Sequence, residues 1–355
     1  MRGAAKNTDL GIGTQKPSDN ATNHGLKESQ LLQRQTLLRF AFNAMTAALM
    51  AAPSTVTADT TSGTAQIAPL TQATISKTIN GIVVELREGY VFADKGAHAA
   101  DALEKSLRES VYAGVTDPVQ FAQQVTDQLR AITKDGHMRV IFGSPFGNQP
   151  PPAQPQGAGI EVKRLDGNIG LIRLARFAPP NVFNPGADEA MRSLSDTKAL
   201  IIDMQMNGGG HPASVAYLVS YFLDADKPFH INSLVWRNRG TDTFRTETFG
   251  SSPTPLRYLG KPVYVLVGPK TYSAGEEFAY DLQALKRATI VGTKTRGGAN
   301  PGGLTDLGSN FFVVVPTGRA ENPITHTNWE GVGVLPDVLA APDVAESTAI
   351  ALAKG

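Results

Sequence analysis

The stretch VYVLVGPKTYSAGEEFAYDLQAL, Val263–Leu285, changes pattern midway. It opens as an unbroken apolar, largely β-branched run, Val263–Val267, and closes with the three- and four-residue apolar spacing of a helix, with a Tyr-Ser-Ala-Gly turn between them. An apolar run of this length, stopped by Gly268 and Pro269, reads as a strand buried on both faces. A buried strand leading straight into a helix is the repeating unit of α/β sheets. Outward from this stretch the same alternation recurs in NIGLIRLARF, ALIIDMQM, a helix from about Pro212 to Leu223, ATIVGT and NFFVVVP. The fold class expected over residues 160–355 is therefore α/β with a covered sheet.

Upstream the pattern differs. From Thr74 to Ile132 three segments carry helical spacing, and the third is well marked: Asp117 is placed to cap it, Pro118 falls at its first position, and Phe121, Val125 and Leu129 share a stripe. This predicts a small N-terminal helical bundle over 74–142. The Pro-, Gln- and Gly-rich stretch Gly143–Gly159 is expected to be the boundary loop before the core. Residues 1–58 read as a polar, disordered segment ending in a signal peptide. The apolar run Leu37–Ala52 follows Arg34, and Val56-Thr57-Ala58 fits a small-x-small cleavage site. An uncleaved anchor and a short structural helix are the competing readings of that run, which is shorter than the ~20 residues a spanning helix needs. Residues 59–73 would be a linker. The expectation is a periplasmic or secreted protein with no stable membrane span after processing.

Composition narrows the chemistry. The 355 residues hold 33 Lys+Arg against 32 Asp+Glu with no block of like charge, which argues against nucleic acid as a partner. There is no cysteine, so disulfides, thiolate metal sites and a cysteine nucleophile are excluded. No His-x-x-x-His or clustered ligand spacing points to a metal, and no cofactor motif is present.

Ser273 stands where the helix begins, beside unpaired N–H groups and the positive end of the helix dipole. It could be a nucleophile. It could equally be a cap, since Glu276 three residues on completes a capping box. The glycines of DMQMNGGGH, Asp203–His211, follow another buried strand and could supply oxyanion donors, a tight turn or, less plausibly without a P-loop pattern, a phosphate cradle. His137, in the turn of KDGHMRV, and Glu330, in NWEGVGVLPDV, would complete a nucleophile–base–orienter set. His211 competes as base, while His98 and His326 sit in less structured surroundings.

Four segments occur in series: KDGHMRV, ALIIDMQMNGGG, the long run from VYVLVG to GGANPGG, and WEGVGVLPDV. Together they resemble the tail-specific, or C-terminal processing, serine peptidase family, in the branch of the interphotoreceptor retinoid-binding protein modules and the tricorn protease core. The likeness extends over roughly Thr74 to Val338. It implies a crotonase/ClpP-like ββα-superhelix core and hydrolysis of unfolded or extended polypeptides near their C-termini, with no cofactor. Ser273 matches the nucleophile, the amides of Ala274 and Gly209 the oxyanion hole, with Gly210 the alternative to Gly209, and His137 and Glu330 the base and its support. Several departures accompany this. The processing branch's lysine position is Gly298 and Lys294 is out of register, tricorn's serine beside the histidine is Gly136, Gln205 replaces an arginine, and no PDZ-like segment separates bundle and core. The rival implied by the retinoid-binding relatives is a non-catalytic binding module for apolar small molecules. An acyl-CoA enzyme of the crotonase type would share the oxyanion geometry but not these motifs.

Overall fold

The computed structural model describes residues 70–144, 158–224 and 227–355. The segment read as disordered and signal-like, residues 59–69 of the expected linker and most of the Pro-rich loop lie outside the described residues; residues 72 and 73, read as linker, already belong to the first helix.

Three helices come first, α1 (Gln72–Gly89), α2 (Ala93–Arg108) and α3 (Pro118–Thr133). Asp117 caps α3 as expected, accepting from the amides of Val119 at 2.7 Å and Gln120 at 3.3 Å. Lys134 ends that helix in the left-handed conformation, turning the chain into strand β1 (Arg139–Phe142). These helices do not close a core by themselves. Ile79, Leu86, Leu103, Phe121 and Leu129 pack with Phe311, Val313 and Val315 of β10 (Phe311–Pro316), and β1 pairs antiparallel with that same strand. With β9 (Gly302–Gly308) they form a three-stranded sheet in the order β1-β10-β9.

The main sheet has six strands in the order β12-β8-β7-β4-β3-β2, built from β2 (Ile160–Leu165), β3 (Ile169–Leu174), β4 (Ala199–Asp203), β7 (Val263–Val267), β8 (Thr289–Gly292) and β12 (Val338–Leu339). Only β2 runs antiparallel to its neighbour. β7 is buried throughout, as its unbroken apolar run requires. Helices α4 (Pro180–Ser193), α5 (Pro212–Ser220) and α6 (Ala274–Ala284) pack with one face of the sheet around Phe183, Val219, Phe222 and Phe278, and α7 (Ala345–Lys354) packs with the other around Ile201, Leu266 and Val291. A third sheet, β11-β5-β6, consists of β11 (Gly318–Glu321), β5 (His230–Arg237) and β6 (Phe244–Gly250). The class is the mixed α/β, sheet-cored fold the alternation of the sequence called for.

One registration decides where chemistry can occur. β4 and β7 are parallel neighbours, with Asp203 opposite Leu266. Their carboxyl ends therefore release the glycine loop and the Ser273 turn side by side, the position at which open α/β sheets place ligands.

Candidate active site

Ser273 precedes α6 with φ 54° and ψ −123°, a backbone state that costs a non-glycine residue roughly 1–3 kcal/mol. Its surroundings impose it. Glu276 Oε2 accepts the Ser273 amide at 3.0 Å and that of Gly298 at 2.8 Å, while Oε1 accepts the Gly297 amide at 2.6 Å and the Thr295 hydroxyl. Burial pushes the Glu276 carboxyl up and these donors hold it back. The glutamate read as half of a capping box thus also ties the 295–298 loop to the start of α6.

The glycine loop is held against the same turn by Asn207, which is fully buried. Its Nδ2 donates to the Leu174 carbonyl at 3.0 Å, its backbone carbonyl accepts the Tyr272 amide at 2.9 Å, and its Oδ1 accepts the Gly209 amide at 2.9 Å. The expected oxyanion donor, Gly209 N–H, is therefore already engaged. Its Cα instead provides closeness: a Cβ there would fall 2.9 Å from Ser273 Cβ. Among the described residues the amides of Gly210 and Ala274 have no acceptor, and both residues line the small cleft that holds Ser273. Asn207 escaped the sequence reading, although an asparagine opening a glycine turn is a recognised side-chain acceptor for the backbone two residues on.

His137 and Glu330 are brought together, joined by a residue the sequence reading did not select. One ligand atom from each of Asp135, His137 and Glu330 lies within 4.8 Å of the others. Asp135 is buried, and its Oδ1 accepts the His137 amide at 3.0 Å while Oδ2 accepts from Asn300 Nδ2 at 2.9 Å and the Tyr90 hydroxyl at 3.2 Å. Glu330 accepts the amides of Gly136 at 3.4 Å, Ala299 at 2.5 Å and Asn300 at 3.1 Å. Its carboxylate thus clamps the loops around the imidazole, whose Nδ1 is buried without a hydrogen bond. A divalent cation could span such a triplet, but each carboxylate is already occupied as an acceptor by amides of this chain.

Tyr272 links the two groups. Its backbone adjoins Ser273, and its ring packs on His137 with centroids 4.6 Å apart and planes inclined 32°, with the Arg296 guanidinium 4.7 Å from the ring centroid. Its hydroxyl is buried without a partner. Burial, followed by Arg139, Arg296 and Arg130, lowers the His137 pKa to about 4, so the imidazole is neutral at neutral pH. Burial, followed by Asp135, pushes Glu330 up to about 7. His211, the competing base, caps α5 through Nδ1, which accepts the Ala213 amide at 3.2 Å.

A serine on a turn between parallel strand and helix, beside two unbonded amides and next to a tyrosine whose ring packs on a histidine flanked by carboxylates, has the layout of a hydrolase site of the acyl-transfer type. Residues 168–340 match the model of peptidase family S41. The chain is 27% identical over 180 residues to a carboxy-terminal-processing protease of Bartonella bacilliformis, covering 50% of this chain and 39% of that one. It is 27% identical over 139 residues to the tricorn protease of Thermoplasma volcanium, covering 38% of this chain and 12% of that one. A crystal structure of a Parabacteroides merdae protein shares the fold with a TM-score of 0.61 at 20% identity, over 79% of this chain and 97% of that one. The chain thus spans about two fifths of the length of the Bartonella relative.

Proposed function

We propose that the protein is a serine-type peptidase that cleaves unfolded or extended polypeptides, near their C-termini, in a periplasmic or extracellular setting. In this reading Ser273 Oγ attacks the scissile carbonyl and His137 takes its proton. The C–N bond then breaks as the imidazolium protonates the leaving amine, and water, activated by the same histidine, releases the acyl group. Glu330 and Asp135 fix and electrostatically support the imidazole. The amides of Ala274 and Gly210, the second taking the place first given to Gly209, receive the developing oxyanion.

The observation that carries this reading is the backbone of Ser273. A simple cap takes ordinary extended angles, whereas this serine is held at positive φ by Glu276 and by the close approach of Gly209. Mass-spectrometric peptide release from a reduced, unfolded protein mixture tests it, comparing the chain from Asp59 with its Ser273→Ala variant. Peptides released only by the wild type establish the activity and its preference; equal release, or none, across pH 6 to 9 rejects it.

A binding module for apolar small molecules is the second reading. It draws on a groove of about 770 Å³ between β2 and α4, where Val162, Val182 and Met206 are exposed. Saturable apolar binding without Ser273-dependent cleavage would favour it.

A further inference from the structure

Beneath Ser273, α6 carries two acids one turn apart, Glu277 and Asp281, that are 4% and 0% exposed. Asn322 donates Nδ2 to Asp281 Oδ1 at 2.9 Å. Asn232 of β5, fully buried, lies against Glu277. By strict geometry Glu277 Oε1, Asp281 Oδ2 and both amide atoms of Asn232 lack a hydrogen bond, although Asn232 lies near enough to Glu277 to act on its carboxyl as a weak donor. No cation is among the groups acting on either acid. Leaving buried polar atoms unpaired costs roughly 1–3 kcal/mol each, so such a cluster calls for an explanation.

The explanation lies in the cleft above it. Glu277 lines the cleft that holds Ser273, together with Gly210 and Ala274, while Leu234, Ala320 and Trp329 give it apolar walls. Leu234 and Asn232 stand two apart on β5 and so face the same way. A carbonyl oxygen directed at the amides of Gly210 and Ala274 would enter this cleft, with the adjoining side chain next to it and within reach of Glu277. The cleft is small, with about 60 Å³ open to the centre of a water-sized sphere, which favours a short side chain. An aliphatic side chain would seal the floor and leave its acceptors unpaired. A hydroxyl both donates and accepts, so it satisfies a carboxyl in either protonation state and the amide beside it.

We propose that Glu277 and Asn232 form the floor of a specificity pocket that takes a small hydroxyl-bearing side chain, serine or threonine, at the residue whose carbonyl Ser273 attacks. This rests on the peptidase reading above.

The test uses peptide pools with randomised flanks and one fixed central residue, threonine against its near-isostere valine, and serine against alanine. The expected wild-type kcat/KM for cleavage after threonine exceeds that after valine by about tenfold or more, because a site built to bond a hydroxyl rejects the analogue lacking it. Glu277→Met is expected to bring the ratio to within about twofold. Equal cleavage of the two pools by the wild type overturns the proposal without any variant, as does a folded Glu277→Met protein that keeps the wild-type ratio. If the wild type cleaves no pool, the peptidase reading fails, and retention of the same pools on immobilised Ser273→Ala protein decides the pocket separately. Preferential retention of the threonine pool upholds it, and equal or absent retention overturns it.

Discussion

The ring of Tyr272 lies on the imidazole of His137, centroids 4.6 Å apart, and two glycines make room for it. A Cβ at Gly298 would fall 2.2 Å from Tyr272 Cε2, and one at Gly136 would fall 3.2 Å from its hydroxyl oxygen. The side chain next to Ser273 is therefore packed directly against the histidine proposed as base.

Gly298→Ala should destabilise the fold by about 1–3 kcal/mol and sharply reduce peptide release, because the methyl displaces the tyrosine ring. Tyr272→Ala in the same chain should recover most of the lost stability but not the activity. Chemical denaturation of the four proteins of this double-mutant cycle measures the coupling, and simple additivity would disprove the ring contact as the cause.

Ser273→Gly should abolish activity while raising stability by about 1 kcal/mol, since glycine adopts φ 54° without strain. Ser273→Ala should lose activity with no such gain. Equal melting temperatures for the two variants would show that the serine backbone is unstrained.

Opposed titrations make a third prediction. His137 titrates near 4 when folded against 6.5 unfolded, so the stability it permits is full above 6.5 and is lost as pH falls toward 4. Glu330 titrates near 7 against 4.5, so its contribution is full below 4.5 and is lost as pH rises toward 7. Between 4.5 and 6.5 the two slopes cancel. Glu330→Gln should expose the first slope and His137→Gln the second, each up to about 1.4 kcal/mol per pH unit. Urea midpoints relative to wild type at pH 4.5, 5.5 and 6.5 measure them. Activity should rise through an ascending limb near 7 that Glu330→Gln removes.

Asp135→Asn removes the charge that, after burial, most raises Glu330, so the ascending limb should move to lower pH. It also sets an amide nitrogen against Asn300 Nδ2 or the His137 amide, at a cost of about 1–3 kcal/mol. A pH–rate profile with an unmoved limb would rule out the Asp135 field as its cause.

The strands β4 and β7 and the helix α6 were legible because burial on both faces and helical spacing leave distinct marks in sequence. So was the junction at Ser273. Its positive φ was not, because nothing in a serine's own neighbours announces a conformation imposed by Glu276 and Gly209. Asp135 and Asn207 were passed over as turn residues; their importance comes from partners distant in sequence, Tyr90, Asn300 and Leu174. The engagement of the Gly209 amide follows from Asn207 and was likewise hidden. Gly143–Gly159 read as a boundary, yet the helices before it share a core with β10 beyond it. A four-residue strand such as β1 carries too little pattern to name its partner.

That pairing of β1 with β10 has a consequence for the chain as it is made. His137 belongs to the early part of the polypeptide and Ser273 and Glu330 to the late part, and the helices that present the histidine need Phe311, Val313 and Val315 to complete their packing. A ribosome-bound chain short of β10 already carries Ser273 and five strands of the main sheet, but it holds His137 beside helices whose packing is incomplete and lacks Glu330. Any chemistry requiring all three residues begins only after Glu330 has been made, which shields the chain upstream of it from its own site until then.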